Sequence, residues 1–343
     1  MGKKAVLLVN LGTPDSPSTA DVRTYLNEFL MDPRVIDINP ISRTLLVRGL
    51  IAPFRAPKSA KLYQAIWDKE TGSPLMHYSL LQQKALQQRL GDEYIVELAM
   101  RYQNPSIESA LNRLKAALVD DIQVIALFPQ YASASTGSVY DKVMELLAAW
   151  GTKPNISFLN SFHDNEGMIA TFADNAQKYD PESYDHVLFS FHGLPQRQLV
   201  KADHTQNHCL KSSDCCQTLT AANKNCYSAQ SHHTAQLIAE KLNIPKDKYT
   251  ICFQSRLGND PWVQPYTSEI VAKLAKEGKK SLLVFCPAFV ADCLETVYEV
   301  TTEYGDEFKA LGGEKVQLVE SLNDSPIWID ALEKMVRENH VAA

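Results

Sequence analysis

The stretch His186-Val187-Leu188-Phe189-Ser190-Phe191-His192-Gly193-Leu194-Pro195 is apolar through Phe191 and then bends at Gly193 and Pro195, the pattern of a buried strand that ends in a sharp turn. His192 therefore stands at a strand's carboxyl end, where α/β sheets place their sites. The same arrangement occurs earlier in the chain: the apolar run Ala5 to Asn10 leads into Asn10-Leu11-Gly12-Thr13-Pro14. A second pair of turns also corresponds, Phe128-Pro129-Gln130-Tyr131 with Cys286-Pro287-Ala288-Phe289. Working outward, strand patterns near 5–10, 94–99, 122–128 and 156–160 alternate with helical patterns near 19–29, 80–90, 106–118 and 139–149. The second half repeats this, with strands near 186–191, 250–254, 281–285 and 316–319 and helices near 228–242, 265–276, 294–304 and 326–338. Alternation of this kind predicts an α/β fold of mainly parallel sheets flanked by helices. The internal correspondence predicts one such domain duplicated, residues 1–165 and 166–343, with a cleft between the copies.

Length and charge limit what such a chain can do. Its 343 residues exceed the usual size of a single core, which agrees with two domains. A net charge of -6, without a Lys/Arg block, gives no electrostatic footprint for phosphate backbones, so nucleic acid is not an expected partner. The start, Met1-Gly2-Lys3-Lys4, is basic and then apolar, but the run is too short and lacks a small-residue cleavage site, so it reads as a first strand rather than a signal peptide. No window approaches the roughly 18 apolar residues of a spanning helix. The expectation is a cytoplasmic protein, at most peripheral at the inner membrane.

Two stretches break the alternation. Residues 39–58 mix aliphatic side chains with Arg43, Arg48 and Arg55. They read either as a lip over an apolar ligand or membrane surface, or as an ordinary buried helix with solvated arginines. Residues 201–227 are polar and hold His204, His208, Cys209, Cys215, Cys216 and Cys226. Four cysteines within eighteen residues, in a compartment that disfavours disulfides, point to metal binding.

The chemistry-bearing residues are His192 and the row Glu295, Glu299 and Glu303. Their spacing of four puts the three carboxylates on one face of a helix. Glu295 follows the largely apolar segment Phe285 to Leu294, so its carboxyl is expected to be partly buried with a raised pKa, facing a histidine partner. Singly, each feature has a plain structural explanation: a satisfied histidine, a solvated acidic face. Together they suggest proton and cation traffic.

These residues resemble those of the ferrochelatase family. The likeness is carried by Leu7-Leu8-Val9-Asn10-Leu11-Gly12-Thr13-Pro14, Gly72-Ser73-Pro74-Leu75, Phe128-Pro129-Gln130-Tyr131, Ser135-Thr136-Gly137-Ser138, Ser190 to Pro195, Phe253-Gln254-Ser255-Arg256 and Leu294-Glu295-Thr296. It implies two similar Rossmann-like, chelatase-type domains with a porphyrin cleft between them and no bound nucleotide; the lack of a Gly-x-Gly-x-x-Gly agrees with that. It implies a lyase for which Fe2+ is a substrate and a free-base porphyrin the partner, with protoporphyrin IX as the main reading and coproporphyrin III as the alternative. By the same resemblance His192 and Glu295 are catalytic, and His192, Glu295, Glu299 and Glu303 handle the metal. Leu11, Tyr131 and Trp262 match positions lining the porphyrin pocket. Whether His192 accepts the pyrrole protons or ligates the incoming metal stays open at this level, as does the choice between monomer and homodimer.

The chain departs from the family pattern at Asp292-Cys293-Leu294-Glu295, where many members have Asp-His-x-Glu. Cys293 reads as a small buried side chain, and the role of that histidine does not transfer. Some members carry a [2Fe–2S] cluster; Met335 to Ala343 lack cysteine, so a cluster here would be internal, on Cys209, Cys215, Cys216 and Cys226. A zinc site using His204 or His208, and unliganded thiols, are the alternatives. Adjacent Cys215 and Cys216 could serve one cluster only if the backbone there is tightly turned. Two rivals to iron insertion rank lower: a two-lobed binding protein, for which no export signal is found, and a cobalt- or nickel-inserting chelatase, which would use a different histidine set.

Overall fold

A computed structural model describes residues 3–258 and 260–339; the outermost ends of the two expected domains, residues 1–2 and 340–343, lie outside the described residues. The chain forms two compact units. The first comprises residues 1–128, 132–160 and 332–343, and the second residues 129–131 and 161–331.

The first unit holds strands β1 (Lys3–Gly12), β2 (Tyr94–Tyr102), β3 (Val119–Ala126) and β4 (Asn155–Leu159), all parallel, in the order β2-β1-β3-β4. The second holds β5 (His186–His192), β6 (Tyr249–Gln254), β7 (Ser281–Phe285) and β8 (Lys315–Leu318), again all parallel, in the order β6-β5-β7-β8. The two orders are the same permutation, so the duplication seen in the turns extends to topology. In each unit the first strand is central and buried on both faces, which is why Ala5–Val9 and Val187–Phe191 read as continuous apolar runs rather than alternating ones. Helices 107–116 and 138–148 pack Ile107, Leu111, Leu114, Val139, Val143 and Leu147 onto Leu7, Val9, Ile122 and Val124. In the second unit Val271, Leu274, Val300, Tyr304 and Phe308 cover Leu188, Cys252, Leu282 and Val284.

The corresponding turns need their glycines for different reasons. Gly12 has φ +119°, and a Cβ there would lie 2.0 Å from the Tyr102 carbonyl oxygen, so both conformation and space demand glycine. At Gly193 the constraint is space alone: a Cβ would lie 2.8 Å from the Gln254 carbonyl oxygen and 3.1 Å from the Trp262 ring.

Helices run wholly or partly through residues without a helical expectation, among them Ala52–Ile66, Glu166–Gln177, Gln196–Ala202 and Gly305–Ala310. The first carries Pro57 inside it, which obscures the pattern. Glu166–Gln177 buries Met168, Ile169, Thr171, Phe172, Ala173, Asn175 and Ala176, so no polar face contrasts with an apolar one. Residues 39–58 are helical from Pro40 on but do not form an ordinary buried helix: Arg48 and Arg55 are solvated, Arg43 is not. Helix Pro40–Thr44 runs into a π-helix, Leu45–Ile51, and then into Ala52–Ile66. Arg43 is buried, its Nη1 donating to the Ile36 carbonyl at 3.1 Å, whereas Ile41, Leu45, Leu50 and Phe54 are exposed. Among the described residues no helix is long and apolar enough to cross a membrane.

Candidate active site

Within the second unit, β5 carries His192 to the carboxyl end of the sheet, in register with Gln254 of β6. The imidazole is half-buried, and its Nδ1 lies 2.7 Å from the Gly193 carbonyl oxygen. A carbonyl can only accept, so Nδ1 carries the proton and Nε2 presents its lone pair. The His192 carbonyl in turn accepts from Tyr227 Oη at 2.8 Å, and burial pushes the Tyr227 phenol well above its ordinary pKa, keeping it a donor. Trp262 is brought to the same turn by backbone pairing. Val263 N donates to the Leu194 carbonyl and Gln196 N to the Pro261 carbonyl, both at 2.9 Å, which lays the indole against Gly193.

The glutamate row lies on residues 294–304, and this helix is a π-helix rather than the α-helix that the spacing predicts. Its i→i+5 hydrogen bonds widen the turn, yet residues four apart remain neighbours, so Glu295, Glu299 and Glu303 still share one face. The N-terminus is anchored by buried Asp292. Its Oδ1 accepts from Thr296 Oγ1 at 3.0 Å, and its Oδ2 accepts from Asn323 Nδ2 at 2.7 Å. Cys293 is buried, and its thiol is pushed well above the usual range, by burial first and then by the Glu295 charge, which leaves it a neutral packing group.

Gln254 ties the row to the strand ends. Its Oε1 accepts from Ser190 Oγ at 2.7 Å, while its Nε2 donates to the Glu295 carbonyl at 2.8 Å and to Glu299 Oε2 at 3.0 Å. Ser255 Oγ donates to the same Glu299 oxygen at 2.6 Å. Burial, followed by repulsion from Glu295, raises the Glu299 carboxyl to about 8, so at neutral pH it keeps its proton. Glu295 is partly buried and Glu303 exposed. Gln254, Ser255, Asp292, Asn323 and Tyr227 were not singled out by their chemistry in the sequence. The Phe253-Gln254-Ser255-Arg256 motif was the available signal for two of them.

A stability consequence follows from Glu299. Its folded pKa lies above the ordinary carboxylate value, so between about pH 4.5 and 8 the folded state binds more protons than the unfolded one, and stability falls as pH rises through that window. Glu299→Gln removes this penalty. Relative to wild type, its melting temperature should gain about 1–2 °C per pH unit across the window, after discounting for partial exposure. Thermal melts at pH 5, 6, 7 and 8 measure it; a constant offset would contradict the assignment.

The remaining expected site residues are placed as follows. Tyr131 is half-buried in the second unit, its backbone N–H donating to Gln230 Oε1 at 2.6 Å on helix Tyr227–Lys241. Leu11 is in the first unit, near the end of β1, with its N–H bonded to Asn10 Oδ1 at 2.8 Å. The four loop cysteines are free and line a cavity of about 140 Å³ together with Asp203, His204 and His208. Cys215 and Cys216 do not point apart: their Sγ atoms are 3.5 Å from each other, and Cys216 Sγ is 4.0 Å from Cys226 Sγ. Bonding to the Cys216 thiol lowers the Cys226 pKa, while burial lifts Cys209 to about 11. Asp203 Oδ2 accepts from the backbone of His208 and Cys209, and Asn223 Nδ2 donates to the Cys215 and Thr218 carbonyls, fixing the loop around the cavity. Cys215, Cys216 and Cys226 are thus linked by two sulfur contacts, and Cys209 lines the same cavity.

Comparison with known proteins agrees with this architecture. The ferrochelatase family model matches residues 3–340. The ferrochelatase of Coxiella burnetii (strain Dugway 5J108-111) is 42% identical over 337 residues, covering 98% of this chain and 94% of the relative. That of Legionella pneumophila (strain Lens) is 43% identical over 98% of this chain and 99% of its own length. That of Pseudomonas fluorescens (strain Pf0-1) is 45% identical, over 97% of each. Among solved structures, SirB from Bacillus subtilis with Fe3+ superposes with a TM-score of 0.53 at 14% identity, over 98% of this chain and 95% of that one. The sirohydrochlorin chelatase SirB from Bacillus subtilis subspecies spizizenii, in complex with cobalt, gives 0.54 at 12% identity, over 98% and 94%. At such identities the likeness is one of fold: two similar chelatase-type α/β domains. With the family matched across nearly the whole chain and relatives above 40% identity over the same span, the chain belongs to the ferrochelatase family.

Proposed function

We propose that this chain is a lyase of the metal-chelatase type that inserts ferrous iron into a free-base porphyrin, and that His192 is its proton acceptor. The reaction exchanges two pyrrole N–H protons for one Fe2+, so the site must accept protons beside the macrocycle and deliver a cation. The observation that carries the reading is the commitment of His192 Nδ1 to the Gly193 carbonyl, which leaves Nε2 as a directed base. A neutral imidazole suits that role near pH 7. Glu295, Glu299 and Glu303 supply oxygen ligands along the inward path, Glu299 as a neutral carboxyl at neutral pH and as a carboxylate only above about 8. Tyr131 and Trp262, both in the second unit, supply the flat aromatic contacts that a planar ring needs.

The proposed substrate is protoporphyrin IX, the more apolar of the two candidates, which agrees with the exposed Ile41, Leu45, Leu50 and Phe54. Those side chains are also the surface proposed for peripheral contact with the inner membrane by a cytoplasmic protein. Steady-state iron insertion into protoporphyrin IX and coproporphyrin III decides between the substrates: a higher kcat/KM for coproporphyrin would reverse the choice.

Cys209, Cys215, Cys216 and Cys226 are the residues proposed to hold a [2Fe–2S] cluster. Bound there, the cluster would supply a one-electron redox centre and a cross-link within the loop. Anaerobically purified protein should be red-brown and contain iron and acid-labile sulfide in equal amounts, and serine at any one of the four positions should bleach it. Colourless protein with stoichiometric zinc would replace the cluster by a zinc site. Four freely titratable thiols without metal would remove both.

A further inference from the structure

We infer that His163, Asp164 and His233 form a binding site for a divalent transition-metal ion of the zinc or ferrous class, separate from the His192 and Glu295 machinery. One ligand atom from each of the three residues lies within 4.8 Å of the other two. Metal–ligand distances of about 2.0–2.2 Å allow two ligands of one ion to stand at most ~4.4 Å apart, so small side-chain rotations complete the contact.

The backbone holds these residues in place. Phe162 N donates to the Pro129 carbonyl at 2.9 Å, and the Phe162 ring stacks on Trp328 at 5.6 Å. Asn165, one residue after Asp164, caps helix Glu166–Gln177 by accepting from Met168 N. His233 comes from helix Tyr227–Lys241, and its neighbour Thr234 donates to the His163 carbonyl at 2.6 Å, locking the two segments in register. The imidazoles of His163 and His233 lie with centroids 5.4 Å apart, their planes tilted by 55°.

The second observation is that these rings hold unspent nitrogens. His163 is 6% exposed, and neither of its ring nitrogens has a hydrogen-bond partner among the described residues; buried Nδ1 of His233 has none either. Buried imidazoles ordinarily satisfy at least one nitrogen, as adjacent His232 does by pairing Nδ1 with the Ser228 carbonyl at 2.8 Å. Exposed Asp164 adds a carboxylate on the solvent side, where an ion would enter. Two nitrogens and one carboxylate oxygen suit Zn2+ or Fe2+ and leave a coordination position open; Ca2+ and Mg2+ would need oxygen ligands throughout.

Co2+ titration of the untagged full-length protein tests this, because cobalt bound by nitrogen and oxygen is distinguished by its visible d–d bands from cobalt bound by thiolate, which adds near-ultraviolet charge transfer. The His163→Gln/His233→Gln double variant should lose one equivalent of nitrogen/oxygen-type Co2+ relative to wild type, while His192→Ala keeps that equivalent. Asp164→Asn, a surface change that leaves the fold intact, should weaken the same equivalent at least ~10-fold. Equal Co2+ stoichiometry in wild type and double variant, or unchanged affinity in Asp164→Asn, would overturn the site. Loss of the equivalent in His192→Ala would place the ion at the insertion site instead, which also overturns it.

Discussion

Replacing His192 by alanine is expected to lower the rate of iron insertion by about 10²–10⁴-fold while leaving a folded protein that binds porphyrin. The size of the effect follows from the proposed role, since a positioned general base contributes about that factor. Preservation of the fold follows from what holds the residue. At position 192 the hydrogen bonds to neighbouring elements are made by the backbone: the pairing of β5 with β6 at Gln254, and the carbonyl that accepts from Tyr227. Among the described residues the imidazole hydrogen-bonds to the next residue's carbonyl and meets the Phe289 ring edge-on, centroids 6.4 Å apart, a contact that alanine loses without opening the strand pairing. Porphyrin affinity, measured by quenching of intrinsic tryptophan fluorescence, should stay within a few-fold of wild type. Near-normal turnover would remove His192 as the base, and loss of porphyrin binding together with activity would make it a packing residue.

The strands of this fold are legible because their central members are buried on both faces. An apolar run of the length of Val187–Phe191, closed by Gly and Pro, has few other readings, and the parallel alternation follows from the helices between such runs. What stays hidden has physical reasons too. Helix Glu166–Gln177 is buried nearly all round and shows no period, while Ala52–Ile66 carries a proline that argues locally against it. The Leu294–Tyr304 helix is amphipathic at four-residue spacing, and that spacing is compatible with both α and π winding.

The proposed reactive groups of the candidate site are legible in the sequence, and its supports are not. His192 and the three glutamates stand out because acid–base residues at strand ends and on helix faces follow simple spacing rules. Gln254 does not, because a glutamine at the end of a strand has no chemistry of its own. Yet it joins Ser190, Glu295 and Glu299 in one hydrogen-bonded unit. The carboxyl raised by burial is likewise Glu299, which lies against Gln254 and Ser255. Helix Tyr227–Lys241 is the other support: the sequence shows the helix, near 228–242, but not what its side chains hold. Its N-cap is loop residue Cys226, Tyr227 holds the His192 carbonyl, Gln230 holds Tyr131, and His233 lies beside His163. One helix therefore connects the cysteine loop, the proposed base, a proposed wall of the porphyrin site and the inferred metal site.

Glu295→Gln is expected to cost at least ~10²-fold in kcat/KM for iron, because it keeps shape and hydrogen-bonding volume but removes the innermost charge of the row. The Gln254 contact to position 295 is made to the backbone carbonyl, so the helix start survives the change, and folding cannot account for the loss. Glu303→Gln provides the contrast. Its carboxylate is exposed, solvent screens it, and its expected effect is a rise of about 2–5-fold in KM for iron that fades as ionic strength increases. The Glu295→Gln defect should persist at high salt, since a partly buried charge is screened much less. Glu299→Gln belongs between them and should depend on pH. Below about 8 the native carboxyl already carries a proton, so the amide resembles it closely, and the defect should grow only as pH rises beyond that value. Measuring kcat and KM for all three variants from pH 6.5 to 9 at two salt concentrations tests the gradient directly. If Glu303→Gln matched Glu295→Gln in severity, or if salt rescued both alike, the row would act as a diffuse acidic patch and not as an ordered path to the porphyrin.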